Sequence, residues 1–258
     1  MTTPVFQFAS LGSGSDGNTT VIQAGNSYFL LDCGFSMRET IKRLARLNID
    51  ISQITAILVT HEHGDHIKGM PALNRKYRIP VYMTRGTRLA KSYGELPAVE
   101  IIEDFKAFTL GGCCITPVAV PHDAKEPAQF TFEFGGLRLG VLTDIGFITP
   151  HVVEGFNECD ALLVEANHDL TLLSMGPYPQ SLKTRVSGNW GHLNNLQTAD
   201  FLQQINLEKL KTLVIGHISQ KNNCVKIVAD VLEPHLPARL FESIKYACQD
   251  EGFSWIPL

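Results

Sequence analysis

The stretch His61-Glu62-His63-Gly64-Asp65-His66 constrains this chain more than any other. Three imidazoles and an aspartate carboxylate, all metal-ligand types, fall within one short turn directly after the apolar run Ala56-Ile57-Leu58-Val59. Residues two apart on an extended segment point the same way, so His61 and His63 can close on one ion, while Asp65 and His66 on the following turn face a neighbouring position. This is a two-metal pattern. A zincin helix, H-E-x-x-H, is excluded because position 65 is aspartate. A solvated turn with chance histidines would not need to follow a buried strand.

Upstream, Phe6, Phe8 and Leu11 alternate with small or polar residues and predict a strand running into Gly12-Ser13-Gly14-Ser15-Asp16-Gly17-Asn18, then a second strand through Thr20-Val21-Ile22-Gln23. The loop reads either as a hairpin turn or as a cradle of free backbone N–H groups for an anion. It is no dinucleotide fingerprint, because its glycines open onto a strand rather than a helix. Tyr28-Phe29-Leu30-Leu31 predicts a buried strand closed by Asp32 and Gly34. Ser36-Met37-Arg38-Glu39 has the form of a capping box, ahead of a helix carrying Ile41, Leu44, Ala45 and Leu47. Another helix is expected through Met70, Leu73 and Tyr77, with Asp65 near its start, where the helix dipole favours an acid.

Downstream, one pattern recurs: an apolar run, then an acid or a histidine. Ile115 to Val120 leads to Pro121-His122-Asp123, Leu137 to Thr143 leads to Asp144, Ala161 to Val164 leads to Glu165, and Leu213 to Gly216 leads to His217. Taken singly, each is more often a cap or a turn than a ligand. Jointly they match the habit of α/β folds, which place their sites at the carboxyl ends of strands.

At 258 residues and 44% hydrophobic content the chain can bury an ordinary core, and α/β folds of this length commonly form one domain, here 1–258. No linker rich in Pro, Gly or Ser divides it, and no internal repeat stands out. A formal charge of −4 argues against nucleic-acid binding by bulk charge alone, though not against a local basic patch. Met1 to Gln7 lacks the basic and apolar regions of a secretory signal, and no run approaches the roughly 18 apolar residues of a membrane span. A cytoplasmic chain with no membrane partner is expected. The six cysteines contain no C-x-x-C and fit reduced, mostly buried thiols. His151 and His235 read as ordinary helix or loop residues, and oligomeric state has no signature here.

The form H-x-H-x-D-H resembles the signature of the metallo-β-lactamase fold superfamily. That resemblance implies an α/β fold, a four-layer αββα sandwich with mixed sheets. It also assigns ligands: His61, His63 and His122 to one divalent ion, Asp65, His66 and His217 to a second, and Asp144 as the bridge. Mixed histidine and carboxylate ligation suits Zn²⁺ and Mn²⁺ alike. Two such ions about 3.5–4 Å apart can share and deprotonate one water, giving a bridging hydroxide as nucleophile. His63 stands where diiron redox relatives carry glutamate, which favours hydrolysis.

The segments Glu165-Ala166-Asn167-His168-Asp169, Gly191-His192-Leu193 and Gly216-His217-Ile218-Ser219 resemble a trio in nucleic-acid-processing members such as ribonuclease Z. The resemblance implies that Glu165 and His192 pair to protonate a leaving oxygen, the acid that phosphodiester cleavage needs. More specific is a likeness to the YycJ/WalJ-type family of bacterial nucleases. It rests on Leu11-Gly12-Ser13-Gly14-Ser15 with Gly17-Asn18, on the metal motif, on Thr143-Asp144-Ile145-Gly146, and on Tyr178 to Val186 ahead of Gly191-His192-Leu193. It spans nearly the whole chain and implies a metal-dependent 5′ to 3′ exonuclease with a nucleic-acid substrate, DNA favoured over RNA. Asn194 departs from it, standing where serine is expected.

Catalysis is then expected from Asp65, orienting the nucleophile, and from His192 backed by Glu165. Lys183 and Arg185, with Tyr178 and Trp190 nearby, read either as a solvated loop or as a phosphate grip with aromatic faces for bases. His168 either touches substrate or orients a neighbour. A thioester, lactone or lactam hydrolase would use the same seven ligands, as would an RNA nuclease; a metal-free nucleic-acid scaffold is disfavoured by the complete ligand set. Too few residues separate Asp144 from His217 for an inserted domain of the usual size.

Overall fold

The apolar runs become strands wherever β-branched and aromatic side chains can pack on a pleated, buried surface. The computed structural model describes residues 5–258; Met1 to Pro4, part of the stretch read for a secretory signal, lie outside the described residues. A first round of chain supplies β1 (Phe6–Gly12), β2 (Thr19–Ala24), β3 (Ser27–Leu31), β4 (Ile54–Leu58), β5 (Val81–Thr84) and β6 (Val99–Ile102). A second supplies β7 (Phe108–Leu110), β8 (Cys113–Ala119), β9 (Ala128–Phe134), β10 (Leu137–Leu142), β11 (Ala161–Glu165), β12 (Thr212–Gly216) and β13 (Lys245–Tyr246). The last strand, β14 (Phe253–Pro257), returns to the first sheet.

The sheets have the orders β14-β1-β2-β3-β4-β5-β6 and β13-β12-β11-β10-β9-β8-β7. Both are mixed: β3 to β6 run parallel beside the antiparallel β14, β1 and β2, and β10 to β13 run parallel beside the antiparallel β7 to β9. Phe8, Phe29, Leu58, Phe130, Phe132 and Leu163 pack between the sheets. Leu44 of the helix Met37–Arg46 and Leu73 of the helix Met70–Tyr77 cover the outer face of the first sheet. Phe156 of Pro150–Phe156, Phe201 of Asn195–Leu202 and Val228 of Val225–Leu232 cover the second. Three buried layers of apolar contact make this the αββα sandwich that the motif implies.

Local readings are refined in four places. The Gly-Ser loop is the connection of the β1–β2 hairpin. Only half of the capping box forms: Ser36 Oγ accepts from the Glu39 amide, but the Glu39 carboxylate turns to Arg43 Nε at 2.8 Å, an ionic partner one turn along. The helix through Met70 is preceded by a separate turn, Gly64–Ile67, so Asp65 starts that short helix instead. Cys33, Cys113 and Cys159 are buried as expected, whereas Cys224 and Cys248 are exposed, because each sits in a loop beyond the sheets. Six strands, β5, β6, β7, β9, β13 and β14, fall outside the runs singled out above.

Gly34 fixes how the early chain meets the metal motif. A Cβ there would stand 1.7 Å from the Asp65 carbonyl oxygen, and that carbonyl accepts the Asn18 amide at 2.8 Å. Gly34→Ala should therefore push the Asp65 turn outward and destabilise the fold by about 1–3 kcal/mol, the scale of overpacking. Urea unfolding reads this as a lower midpoint, and an unchanged midpoint would show that the contact is soft.

Candidate metal centre and active site

Several candidate ligands, and Asp32 behind them, stand where a strand runs out and the backbone turns. Asp32 follows β3, His61 follows β4, Asp144 follows β10, and His217 follows β12. Asp32, Asp144 and His217 have φ of 63°, 56° and 50°. Left-handed backbone is uncommon outside glycine and clusters at functional sites, where surrounding structure holds it in place.

The structure brings the seven candidate ligands together. One nitrogen from each of His61, His63 and His122 forms a group within 4.8 Å, as do atoms of His61, His66 and Asp144, and of Asp144, His192 and His217. Asp65 adjoins the second group, its Oδ2 3.4 Å from His66 Nε2. Asp144 is central: Oδ2 lies 3.3 Å from His66 Nε2 and 3.2 Å from His217 Nδ1, and Oδ1 lies 3.9 Å from His122 Nε2.

Partners outside the cluster set which nitrogen of each ring faces inward. His61 Nδ1 is held by Thr60 Oγ1 at 2.9 Å, His66 Nδ1 by Asp32 at 2.7 Å, and His122 Nδ1 donates to the Gly191 carbonyl at 3.0 Å. Their Nε2 atoms are left for the centre. His63 is reversed: Nε2 meets the Asp123 carbonyl at 3.2 Å while Nδ1 faces His122. Such outer partners fix the ring orientation of metal-binding histidines.

A divalent ion fits this donor set. His61 Nε2 and Asp144 Oδ2 are buried without an aligned hydrogen-bond partner among the described residues, which is costly unless something positive fills the space between them. His61, His63 and His122 could hold one ion, and Asp65, His66, Asp144 and His217 a neighbouring one.

Electrostatics divide the histidines into two kinds. Burial pushes His61 well below the ordinary histidine value and His122 down to about 4, so both are neutral at pH 7. Burial also opposes charge on His66 and His217, but the carboxylates around them outweigh it. Asp144 and Asp32 hold His66 well above the ordinary value, and Asp144 with Glu165 holds His217 at about 10. Without metal these two rings carry protons that an ion must displace. Zn²⁺ uptake at pH 7 should thus release about two protons, and affinity should fall as pH drops. Calorimetry in buffers of different ionisation enthalpy measures the release; a value near zero would contradict the assignment.

Glu165 is the hub beneath the cluster. It is fully buried, and Oε1 accepts from the Ile145 and Leu193 amides at 3.0 Å. Oε2 accepts from the Asp144 amide at 3.0 Å, from His192 Nδ1 at 3.1 Å and from His217 Nδ1 at 3.3 Å. Burial alone would raise its pKa, yet the His192 and His217 contacts hold it at about 2. Glu165 thus holds a hydrogen bond to His192 and does not itself line the pocket. His192 does, its side chain 20% exposed. Asn194, the departure noted above, caps the helix Asn195–Leu202 in a reciprocal capping box with Gln197, a place asparagine fills as well as serine.

A pocket of about 270 Å³ opens over the centre, lined by His63, Asp65, Asp144, His192 and His217 together with Tyr178 and Arg185. Arg185 Nε donates to Asp123 Oδ2, so its charge is partly spent inside the wall. Lys183 is not at the pocket: its ammonium donates to the Ser174 carbonyl at 2.6 Å, because its place on the helix Gln180–Val186 aims it at the preceding turn. His168 is fully buried with both ring nitrogens unpartnered among the described residues, and it does not line the pocket. Trp190 is 61% exposed nearby in sequence.

Three contributors were not singled out from sequence: Asp32, which anchors His66; Asn18, whose Nδ2 lies 3.3 Å from Asp65 Oδ2; and Asp123. Asp32 does carry the signal that marked Asp144 and Glu165, an acid directly after an apolar run. Asn18 entered only as part of the Gly-Ser loop in the family likeness, with no strand-end mark of its own.

Comparison with known proteins agrees with this geometry. A family described as "Beta-lactamase superfamily domain" matches residues 27–218. Exodeoxyribonuclease YycJ of Bacillus anthracis is 33% identical over 236 residues, covering 88% of this chain and 89% of the relative. Exodeoxyribonuclease WalJ of Streptococcus pneumoniae is 33% identical over 224 residues, covering 84% and 83%. The crystal structure of the metallo-β-lactamase fold protein YhfI from Bacillus subtilis superposes with a TM-score of 0.76 at 14% identity, over 99% of this chain and 100% of that one, a likeness of fold. With the ligand-type residues gathered at the strand ends of an αββα sandwich, the chain belongs to the metallo-β-lactamase superfamily of hydrolases, beside the YycJ and WalJ exodeoxyribonucleases.

Proposed function

We propose that this chain is a two-metal phosphodiesterase, using Zn²⁺ or Mn²⁺, that removes nucleotides from DNA in the 5′ to 3′ direction. The observation that carries this reading is the couple of His192 and Glu165 at the edge of the ligand cluster, facing a pocket that also holds Tyr178 and Arg185. A lactam or thioester hydrolase needs the ligands but has no call for a second, buried carboxylate dedicated to a proton donor. The names of the two exodeoxyribonuclease relatives support DNA as substrate.

The ions, once bound, make water acidic enough to attack at neutral pH and neutralise charge that builds on phosphoryl oxygens. The protein supplies the rest. Asp65, kept ionised by His66 against the effect of burial and touched by Asn18, orients the attacking water. His192 has Nδ1 tied to Glu165, so Nε2 is the atom that passes a proton to the leaving oxygen. Tyr178 offers a face for a base, and the Nη groups of Arg185 have no protein partner among the described residues and can meet a phosphate. Among the described residues no helix is long and apolar enough to cross a membrane, which is compatible with work on DNA in the cytoplasm.

Digestion of 5′- and 3′-end-labelled single- and double-stranded DNA and RNA with Zn²⁺ or Mn²⁺, beside a lactam and a thioester, tests the reading. Stepwise loss from the DNA 5′ end is expected. Turnover of a small molecule alone would overturn it, and preference for RNA would move the substrate.

A further inference from the structure

A second trough, about 680 Å³, opens beside the metal centre. It runs along the turn Gly64–Ile67 and the start of the helix Met70–Tyr77 to the segment Lys91-Ser92-Tyr93. It shares Ser15 and Asp65 with the pocket that holds Tyr178 and Arg185, so the two meet at a candidate metal ligand. Nothing in the reading above uses its other walls.

Those walls are basic in a chain whose net charge is −4. Lys68, Arg75 and Lys91 line the trough, against Asp16 and the ligand Asp65. Lys68 and Lys91 are exposed, and among the described residues neither is paired with a carboxylate, so both charges are available to an anion in the trough. Arg75 is held against the wall, its Nη1 donating to the Tyr93 and Glu95 carbonyls at 3.2 and 3.3 Å. The smaller pocket carries no unpaired lysine or arginine: its floor is the ligand cluster of His63, Asp65, Asp144, His192 and His217, one side adds Tyr178, Leu182 and Val186, and its one arginine is paired with Asp123.

We infer that the two cavities divide one substrate: the trough at Lys68, Arg75 and Lys91 carries the phosphate backbone of the remaining strand, and the Tyr178 pocket takes the terminal nucleoside. This rests on the phosphodiesterase reading and adds the direction in which the polymer leaves the centre. Unpaired cations spaced along an open groove suit a repeating anion of any sequence, while an aromatic face in a small pocket suits a single base. A continuous strand crossing Asp65 would place one phosphate at the metal ligands and the next ones among the lysines.

The double variant K68A/K91A tests this, since neither ammonium makes a hydrogen bond that the fold uses. Metal-loaded wild type and variant are compared in binding to a fluorescent single-stranded 20-mer across salt, in its cleavage, and in turnover of bis(p-nitrophenyl) phosphate, which has a single phosphate and so none beyond the scissile one to meet Lys68 or Lys91. Expected is about a ten-fold weaker affinity for the 20-mer, a salt slope flatter by about 1.4 for two lost contacts, and unchanged turnover of the small diester. Wild-type affinity and slope in the variant would overturn the trough assignment. Wild-type failure on both diesters would instead overturn the phosphodiesterase reading. A matched loss on 20-mer and small diester would count against the trough, since the variant would then have disturbed the centre itself.

Discussion

Asparagine at position 144 should leave a folded chain that binds less than its full complement of metal and turns over phosphodiesters on the order of a thousand-fold more slowly, the equivalent of several kcal/mol. Asp144 is 2% exposed and lies within 4 Å of His66, His122, His192 and His217. The substitution conserves shape and removes the negative charge that the His66 and His217 imidazoles stabilise. Asp144 is held well below the ordinary carboxylate range: burial works against ionisation, and His217 and His66 outweigh it. Loss of that charge should in turn lower the pKa of His66 and His217, so fewer protons are released on metal uptake. Metal analysis of the purified variant, with turnover measured at saturating Mn²⁺, gives both readouts. Wild-type metal content with wild-type turnover would remove Asp144 from the centre.

His192→Ala should separate the two functions that Asp144→Asn merges. General acid catalysis is typically worth 10²- to 10⁴-fold, so turnover of an oligonucleotide should fall by about that factor while both ions remain bound. The distinction matters because His192 Nδ1 lies 3.8 Å from Asp144 Oδ1 and is close enough to Asp144 and His217 to be taken for a ligand. Its hydrogen bond to Glu165 argues for the proton-donor role. A substrate with a good leaving group such as p-nitrophenolate needs little protonation, so the variant should retain far more activity on it than on DNA. Equal loss on both substrates, together with loss of an ion, would make His192 a ligand. Glu165→Gln offers a positioning control: it should impair His192 and His217 together, because both Nδ1 atoms rest on Oε2.

The ligand types and their strand-end positions were legible because each depends on local pattern. His61 to His66 follows an apolar run and needs no distant information to be recognised as a donor cluster. Asp144, Glu165 and His217 follow runs of the same kind, and alternating strands and helices that must each bury one face suit a layered α/β fold, while the αββα layering itself came from the superfamily resemblance of H-x-H-x-D-H. Asp32 obeyed the same rule and was still not singled out, because an acid after a strand reads equally well as a turn residue. Lys183 and Lys68 show the limit on the other side. Lys183 lies on a short helix and Lys68 directly after one, both beside site residues, and no local pattern tells that one ammonium folds back onto Ser174 while the other stays free above a trough.

The amino-acid sequence by itself determined which side chains can bind metal or move protons, and which strands deliver them, since donor chemistry and hydrophobic periodicity are properties of neighbouring residues. Tertiary structure alone decided which nitrogen of each imidazole faces inward, that Glu165 is a buried anchor shared by His192 and His217, and that two cavities meet at Asp65. Those features depend on hydrogen-bond partners and burial supplied by segments far apart in the chain, and they exist only once the two sheets have closed on one another.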